Sequence, residues 1–422
     1  MANKHRPPVD VTVEVDGDEL VAGTMRVTER RGQSMTFEYD RDYLADSRAY
    51  ALDPALLLGT GVFQPPAGAQ IFNAFSDSAP DRWGQDLMRR QEEQRARKER
   101  VASRRLGPAD FLLGTRDDLR QGALRFRDPP TRRYYADTRQ GVPALVDLGH
   151  LLSESERLAQ GGDADADVKD LIAAGSSLGG ARPKAAVRLP GGELAIAKFP
   201  RSGSDEWDVA TWEMVENDLA HRSGISVASA QLLAVGNRKV IVVKRFDRQD
   251  GRRVGFASAL TMLQAADRVP RSYTDLAEVI EAESNDPDRD LEELFRRLVF
   301  SILTSNTDDH LRNHGFLRRG IGWDLAPAYD MNPNPQHLGR LTTAVDRDAS
   351  RAHVEVALSV AFAFRLRTTQ EASRVIGEVE RGTREWRKVA SNYGIDGREI
   401  DLMARAFETE QRAVAGRIGG EG

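Results

Sequence analysis

The sequence predicts an α+β protein with a β-rich first part, a β-rich middle and an all-α C-terminal part. Three patterns predict it. Val9, Val11, Val13 and Val15 alternate with Asp10, Thr12 and Glu14, the period of a half-buried strand. Two apolar runs, 184–189 and 193–198, flank Pro190-Gly191-Gly192 and read as a hairpin. Beyond Gly255, apolar residues recur at helical spacing near 256–266, 273–283, 290–304, 370–392 and 400–416.

The elements follow in order. The alternation at Val9 continues through Met25 to Val27 and Met35 to Tyr39. A helical stretch spans about 80–105, and its end carries eight basic and three acidic residues between Arg89 and Arg105. It reads as a solvated helix face, or as a docking patch for an acidic partner or nucleic acid. Asp128-Pro129-Pro130 marks a weak linker. Residues 161–167 carry a DxDxD pattern but lack the Gly and Glu of a calcium loop, so they read as a surface loop. A helix is expected over about 208–221, then strands near 230–235 and 239–245. The chain thus divides into segments 1–140, 141–250 and 251–422.

Composition narrows the chemistry. The 422 residues hold 60 Lys+Arg against 65 Asp+Glu, a formal charge of −5, which argues against a surface that coats nucleic acid or an anionic membrane. There is no Cys, so thiol nucleophiles, disulfides and Cys-ligated metals are excluded. The first residues lack an apolar signal core, and the run from Val354 to Phe364 is far shorter than a membrane span. A cytoplasmic protein without membrane contact is expected. Only eight basic residues are Lys, and four of them (Lys184, Lys198, Lys239, Lys244) fall within residues 184–244.

Four constellations carry chemistry. Gly175-Ser176-Ser177-Leu178-Gly179-Gly180-Ala181-Arg182-Pro183-Lys184 is a Gly-rich run before a strand, able to bring backbone N–H groups to phosphate oxygens, although such a turn commonly holds no ligand. It fits neither the Walker A loop nor the dinucleotide fingerprint. Lys198 tips the following strand, as a phosphate ligand or a snorkelling edge lysine. Asp308 and Asn313 have the Asp-x4-Asn spacing of a kinase catalytic loop, within Asp308-Asp309-His310-Leu311-Arg312-Asn313-His314. Asp330 lies 17 residues past Asn313, after a short hairpin, as a second carboxylate for Mg²⁺. A zinc site on His310 and His314 lacks the Glu a zincin needs, and a serine hydrolase lacks its nucleophile elbow. The order of the four parts is that of a bilobal, protein-kinase-like phosphotransferase.

These stretches resemble the HipA family of type II toxin-antitoxin serine/threonine kinases. The likeness rests on Ser177-Leu-Gly-Gly-Ala-Arg-Pro-Lys184, Ala197-Lys198-Phe-Pro200, Lys244-Arg-Phe-Asp-Arg248, Asn306-Thr-Asp308-Asp-His310-Leu-Arg-Asn313 and Leu325-Ala-Pro-Ala-Tyr-Asp330. In the N-terminal part it extends through Phe37-Glu-Tyr-Asp-Arg-Asp-Tyr-Leu44, Asp77-Ser-Ala-Pro-Asp-Arg-Trp-Gly84 and Gly122-Ala-Leu-Arg-Phe126. The resemblance implies ATP and Mg²⁺ as cofactors. It implies Asp308 as catalytic base with His310 in the catalytic group, and Asn313 and Asp330 as metal ligands. Gly179, Gly180, Ala181, Lys184 and Lys198 would meet the nucleotide phosphates, and Lys244 and Phe246 the adenine. Lys244 departs from the acidic residue of the best-known member. Autophosphorylation is implied on Ser177, with Ser176 as the alternative. The implied partners are a small HipB-like helix-turn-helix antitoxin, DNA mainly through that antitoxin, and a protein substrate such as an aminoacyl-tRNA synthetase. Two other readings stand beside this one: a catalytically weak corepressor, and a small-molecule kinase.

Overall fold

The computed structural model describes residues 6–29, 33–136, 142–143, 145–159, 182–201, 205–266, 269–336, 339–347, 349 and 351–420. Ser176, Ser177, Gly179, Gly180, Ala181 and the 161–167 stretch lie outside them. The chain forms two compact units, each discontinuous in sequence: residues 1–203 with 244–266, and 204–243 with 267–422. The linear reading of three segments does not contain this division.

The first unit opens with an antiparallel sheet, β1 (Val9–Val15), β2 (Asp18–Thr28), β3 (Ser34–Tyr39) and, after helix α1 (Arg82–Glu99), β4 (Leu124–Arg127). Its order is β3-β2-β1-β4. The period-2 reading of β1 holds in part: Val9, Val11 and Val13 are buried, but Thr12 is buried as well and Val15 is only half-buried, because β1 lies inside the sheet between β2 and β4. One face carries an aromatic core in which Phe75 meets Phe37, Phe72 and Phe126 edge-on at 5.6–5.8 Å, a favoured geometry.

α1 starts where Asp81 accepts a hydrogen bond from Gly84 N at 2.8 Å. It stops at Arg100, whose backbone turns left-handed at φ 53°. The basic stretch here is partly neutralised within itself: Arg95 pairs with Glu92 and Glu99, and Arg104 approaches Glu92. The expected hairpin is present as β5 (Lys184–Arg188) and β6 (Leu194–Lys198), with Lys184 opposite Lys198 and Arg188 opposite Leu194.

The second unit holds helix α2 (Val209–Arg222), the hairpin of β7 (Ala230–Val235) and β8 (Arg238–Lys244) as far as Val243, and a helical body. α2 buries Trp212 against Trp386 and Phe407, and those two rings stack at 4.5 Å. The body is built on α3 (Tyr273–Glu283) and α4 (Pro287–Thr304), then the hairpin β9 (Gly315–Arg319) and β10 (Gly322–Leu325). Helices α5 (Thr369–Arg384), α6 (Gly397–Phe407) and α7 (Glu410–Gly420) follow. The expected helix over 370–392 breaks at Glu385, and that over 400–416 breaks between Phe407 and Glu410. The helical reading of 256–266 shrinks to Ala259–Met262, because Phe256–Ser258 is extended. Among the described residues no helix is long and apolar enough to cross a membrane.

α4 positions the candidate site. Asp286 caps its start and Pro287 occupies its first turn, where a missing N–H costs nothing. Its apolar face, Leu291, Leu294, Phe295, Leu298, Val299, Ile302 and Leu303, is buried. That burial fixes the height at which the next loop leaves the helix.

Candidate active site

α4 ends at Ser305, a left-handed residue at φ 52° whose N–H returns to Ser301 O. The hydroxyl of Ser305 donates to Ala406 O at 2.8 Å, so the helix end is pinned to α6. The chain then doubles back. His310 N donates to Asp308 O at 3.0 Å, and Asn313 N to His310 O at 2.7 Å. A 3₁₀ turn over Leu311–Asn313 closes the loop, and the Asn313 side-chain Nδ2 donates to Asp308 O at 3.0 Å. That bond orients the amide and leaves its Oδ1 as the acceptor end.

β9 and β10 carry the chain away from Asn313 and back. They pair Phe316 with Leu325 and Arg319 with Gly322, and Ala326 N donates to Gly315 O. Tyr329 OH donates to Arg312 O at 2.7 Å. Residues 332–334 are then laced to the start of the loop. Asn332 N donates to Asn306 Oδ1, Asn334 N to Ser305 O, and Asn334 Nδ2 to Thr307 Oγ1. Asp330 stands between these lacings with φ +59°, a left-handed conformation that a non-Gly residue keeps only when its surroundings impose it.

The structure therefore brings Asp308, His310, Asn313 and Asp330 together in the second unit. Asp308 is solvent-accessible, yet the protein atoms packed around it raise its carboxyl above the ordinary value. His310 opposes this rise, while the carboxylates of Asp330 and Asp309 add to it. Neighbouring carboxylates that raise one another in this way gain from a divalent cation placed beside them. Among the described residues no cluster of three or more acidic or His side chains is arranged around one metal position. A pair such as Asn313 and Asp330 still fits Mg²⁺, which keeps waters and takes phosphate oxygens as its remaining ligands.

The residue next to Asp308 turns the other way. Asp309 is buried. It accepts a hydrogen bond from Tyr273 OH, and its Oδ1 lies 2.9 Å from His314 Nε2, bent away from a straight hydrogen bond. Burial alone would raise this carboxyl, but the imidazole of His314 beside it and the hydrogen bond from Tyr273 outweigh it and hold it below the ordinary range. Burial, and then the charge of Asp309, push the Tyr273 phenol far up. In the sequence Asp309 and His314 appear only as members of the loop motif, and nothing there points to Tyr273 or to the contact among the three.

In the first unit, Lys184 and Lys198 face each other across β5 and β6, so both side chains lie on one face of the hairpin. Lys198 is half-buried. Lys184 is only 2% exposed, and its Nζ meets Asp81 at 2.6 Å. The sequence reading places Lys184 at the phosphates; here its ammonium is buried against Asp81, which offsets the repulsion between two opposed lysines. Around Lys244 the side chains alternate. Lys244 and Phe246 are half-buried, and Lys244 Nζ reaches Glu193 at 2.9 Å. Phe246 packs at 6.3 Å on Phe256.

Arg245 and Asp247 point into the protein. The Asp247 carboxylate bonds Arg245 and Arg248 and accepts from Gly122 N at 2.7 Å. Gly122 can offer that N–H because it sits at φ +73°, where a side chain would strain the backbone. This knot ties the 244–248 stretch to residues 119–122, through Arg245 to Leu119 O and Arg120 O.

Two family models match the chain. The HipA N-terminal domain matches residues 13–106 and the HipA-like C-terminal domain matches residues 176–386. Among solved structures, the chain is similar to the HipA toxin of Shewanella oneidensis MR-1, determined with HipB and its operator DNA. The identity is 15%, the TM-score 0.64, and the match covers 98% of this chain and 97% of that one. At that identity the likeness establishes the fold. The Helicobacter pylori proinflammatory kinase CtkA matches at 15% identity over 56% of this chain and 94% of its own, with a TM-score of 0.45. No curated protein matches. The second family model spans half of the 422 residues, and with the first it takes in the candidate loop, Asp330, the Lys198 strand and strands β2 and β3 of the N-terminal sheet: the chain belongs to the HipA family.

Proposed function

We propose that this chain is an ATP- and Mg²⁺-dependent protein serine/threonine kinase of the HipA toxin type. The observation that carries the reading is the loop geometry. Asn313 Nδ2 is bonded to Asp308 O, while Asp330 lies close enough to raise the Asp308 carboxyl.

In this reading Asp308 orients a substrate hydroxyl and accepts its proton. The hydroxyl oxygen forms a bond to the γ-phosphorus, the bond from that phosphorus to the β-bridging oxygen breaks, and ADP leaves with the electron pair. A carboxyl held above its ordinary range suits a base that must take up a proton and later release it. Asn313 Oδ1 and Asp330 would hold Mg²⁺, which when bound neutralises charge on the phosphate oxygens. Lys198 would pair with the nucleotide phosphates. Lys244 and Phe246 would meet the adenine. Here the salt bridge from Lys244 to Glu193 suggests a backbone contact rather than a side-chain one.

Autophosphorylation on Ser177, or on Ser176 beside it, would set about two negative charges next to the ATP phosphates and inactivate the enzyme. The proposed protein substrate belongs to the translation machinery, an aminoacyl-tRNA synthetase being the type. A HipB-like antitoxin is the proposed partner and would bring the chain to DNA. It is supported by the fold shared with a toxin solved together with HipB and operator DNA.

The test is ADP release from ATP in the presence of Mg²⁺ and a bacterial lysate, comparing wild type with Asp308→Gln and Asp330→Asn. Wild-type turnover lost in both variants supports the reading. Equal turnover in all three rejects Asp308 and Asp330 as its machinery.

A further inference from the structure

The catalytic loop is flanked by a buried assembly that the reaction as proposed does not use. Asp309 follows Asp308, and His314 follows Asn313, so the two residues that bracket the loop from inside are chain neighbours of the two that act outside. Asp309 and His314 meet at 2.9 Å, both almost wholly buried. Tyr273, fully buried at the start of α3, donates its hydroxyl to Asp309 and sets its ring edge-on against the His314 ring at 5.4 Å.

A third strand of chain is stitched to the same assembly. Thr342 donates twice to Thr307 O, from its N–H at 3.1 Å and its hydroxyl at 2.7 Å. Thr343 N donates to Asp309 O at 3.1 Å. Ala344 N donates to Arg271 O at 3.0 Å, and Tyr273 N donates to Ala344 O at 2.8 Å. Residues 342–344 therefore lie between the inner side of the loop and the start of α3, bonded to both.

We propose that Tyr273, Asp309 and His314 form a positioning clamp that fixes the separation of Asp308 and Asn313 and couples it to the 342–344 segment. This rests on the kinase reading above. The physical argument is one of geometry. Asp308 and Asn313 are five peptide bonds apart and are braced by the Asn313 Nδ2 bond to Asp308 O, while the 3₁₀ turn between them has poor hydrogen-bond geometry by itself. A buried carboxylate held by a phenol and an imidazole supplies the stiffness that the turn lacks. None of the three touches the reacting atoms, so all three act through Asp308 and Asn313. Any protein that displaces residues 342–344 on docking would then shift the loop as well.

The test uses the full chain and two readouts. Tyr273→Phe removes only the hydroxyl, Asp309→Asn removes only the charge, and His314→Gln keeps an amide nitrogen where Nε2 stood. For Tyr273→Phe and Asp309→Asn, kcat falls by about 10- to 100-fold with the KM for ATP within about threefold of wild type, as expected when bound groups are slightly misplaced. His314→Gln retains more turnover than His314→Ala. Amide hydrogen exchange at 342–344 accelerates in the impaired variants and not in Asp308→Gln. Should Asp309→Asn fail to fold, Tyr273→Phe carries the test. Wild-type kcat in Tyr273→Phe, or exchange at 342–344 unchanged while turnover is lost, overturns the clamp. If the wild type transfers no phosphate at all, the kinase reading fails, and the exchange measurement still decides whether the clamp exists.

Discussion

The side-chain amide of Asn313 donates to the backbone carbonyl of Asp308 across 3.0 Å, so the residue proposed to bind metal is aimed by the residue proposed to take the proton. Asn313→Ala removes both the acceptor Oδ1 and this internal brace. We expect kcat to drop by about 10²- to 10³-fold, the scale of losing one preorganised electrostatic group. The Mg²⁺ concentration for half-maximal activity should rise as well. A Mg²⁺ titration of phosphate transfer by the two proteins checks both.

Lys184 and Asp81 form an ion pair with side chains 2% and 3% exposed. Removing one partner strands a buried charge, so Lys184→Met should destabilise the protein by about 3–5 kcal/mol. Because the pair is closed, the KM for ATP of the folded variant should match wild type. Thermal melts and steady-state kinetics on the same preparation measure the two effects. A large rise in KM at unchanged stability would restore Lys184 to the phosphate site.

Asp247 is fully enclosed. Burial would raise its carboxyl, but the charges of Arg245 and Arg248, with hydrogen bonds from Arg245 and Gly122, override this and depress it strongly. A depressed folded-state carboxyl contributes stability above the unfolded-chain value of 3.8, and that stability is lost as pH falls through the lower folded value. Asp247→Asn should therefore melt at a lower temperature than wild type at pH 7, and the gap should narrow as the pH is taken below about 4. A gap as wide at pH 2 as at pH 7 would contradict this.

Glu216 has the opposite sign. It is fully buried on α2, and neither carboxyl oxygen has a formed hydrogen bond. Burial raises it well above 4.5, offset only in part by the Thr304 hydroxyl and the Arg412 charge. The folded state holds a proton that the unfolded chain releases above 4.5, so stability from this group is present below that pH and is lost as pH rises through the folded value. Glu216→Gln keeps the shape without the titration. It should melt higher than wild type at pH 8 and nearly level with it at pH 4, read from melting curves at the two values.

Much of this was legible from residues alone. Val9 to Val15 announced β1 because a one-sided strand must alternate, and Pro190-Gly191-Gly192 announced the β5–β6 hairpin because its turn needs Gly. The Asp308, Asn313 and Asp330 spacing gave the loop, since few other chemistries need an Asp and an Asn five apart. Tyr273 and Asp309 were invisible because they are 36 residues apart and meet only when α3 packs under the loop. The ion pair of Lys184 was hidden for a related reason. Its place beside a Gly-rich run suggested phosphates, while its partner Asp81 is 103 residues away. The break at Glu385 was missed because the apolar spacing runs on through Val389 while the backbone does not.

The central claim is that Asp308 serves phosphate transfer to protein. The most direct measurement is incorporation of labelled γ-phosphate from ATP into the chain itself and into lysate proteins, by wild type and by Asp308→Gln, with Mg²⁺ present. The account predicts label on Ser or Thr residues with wild type and at least about a hundredfold less with the variant. Equal labelling by both proteins, or none by wild type, would contradict it.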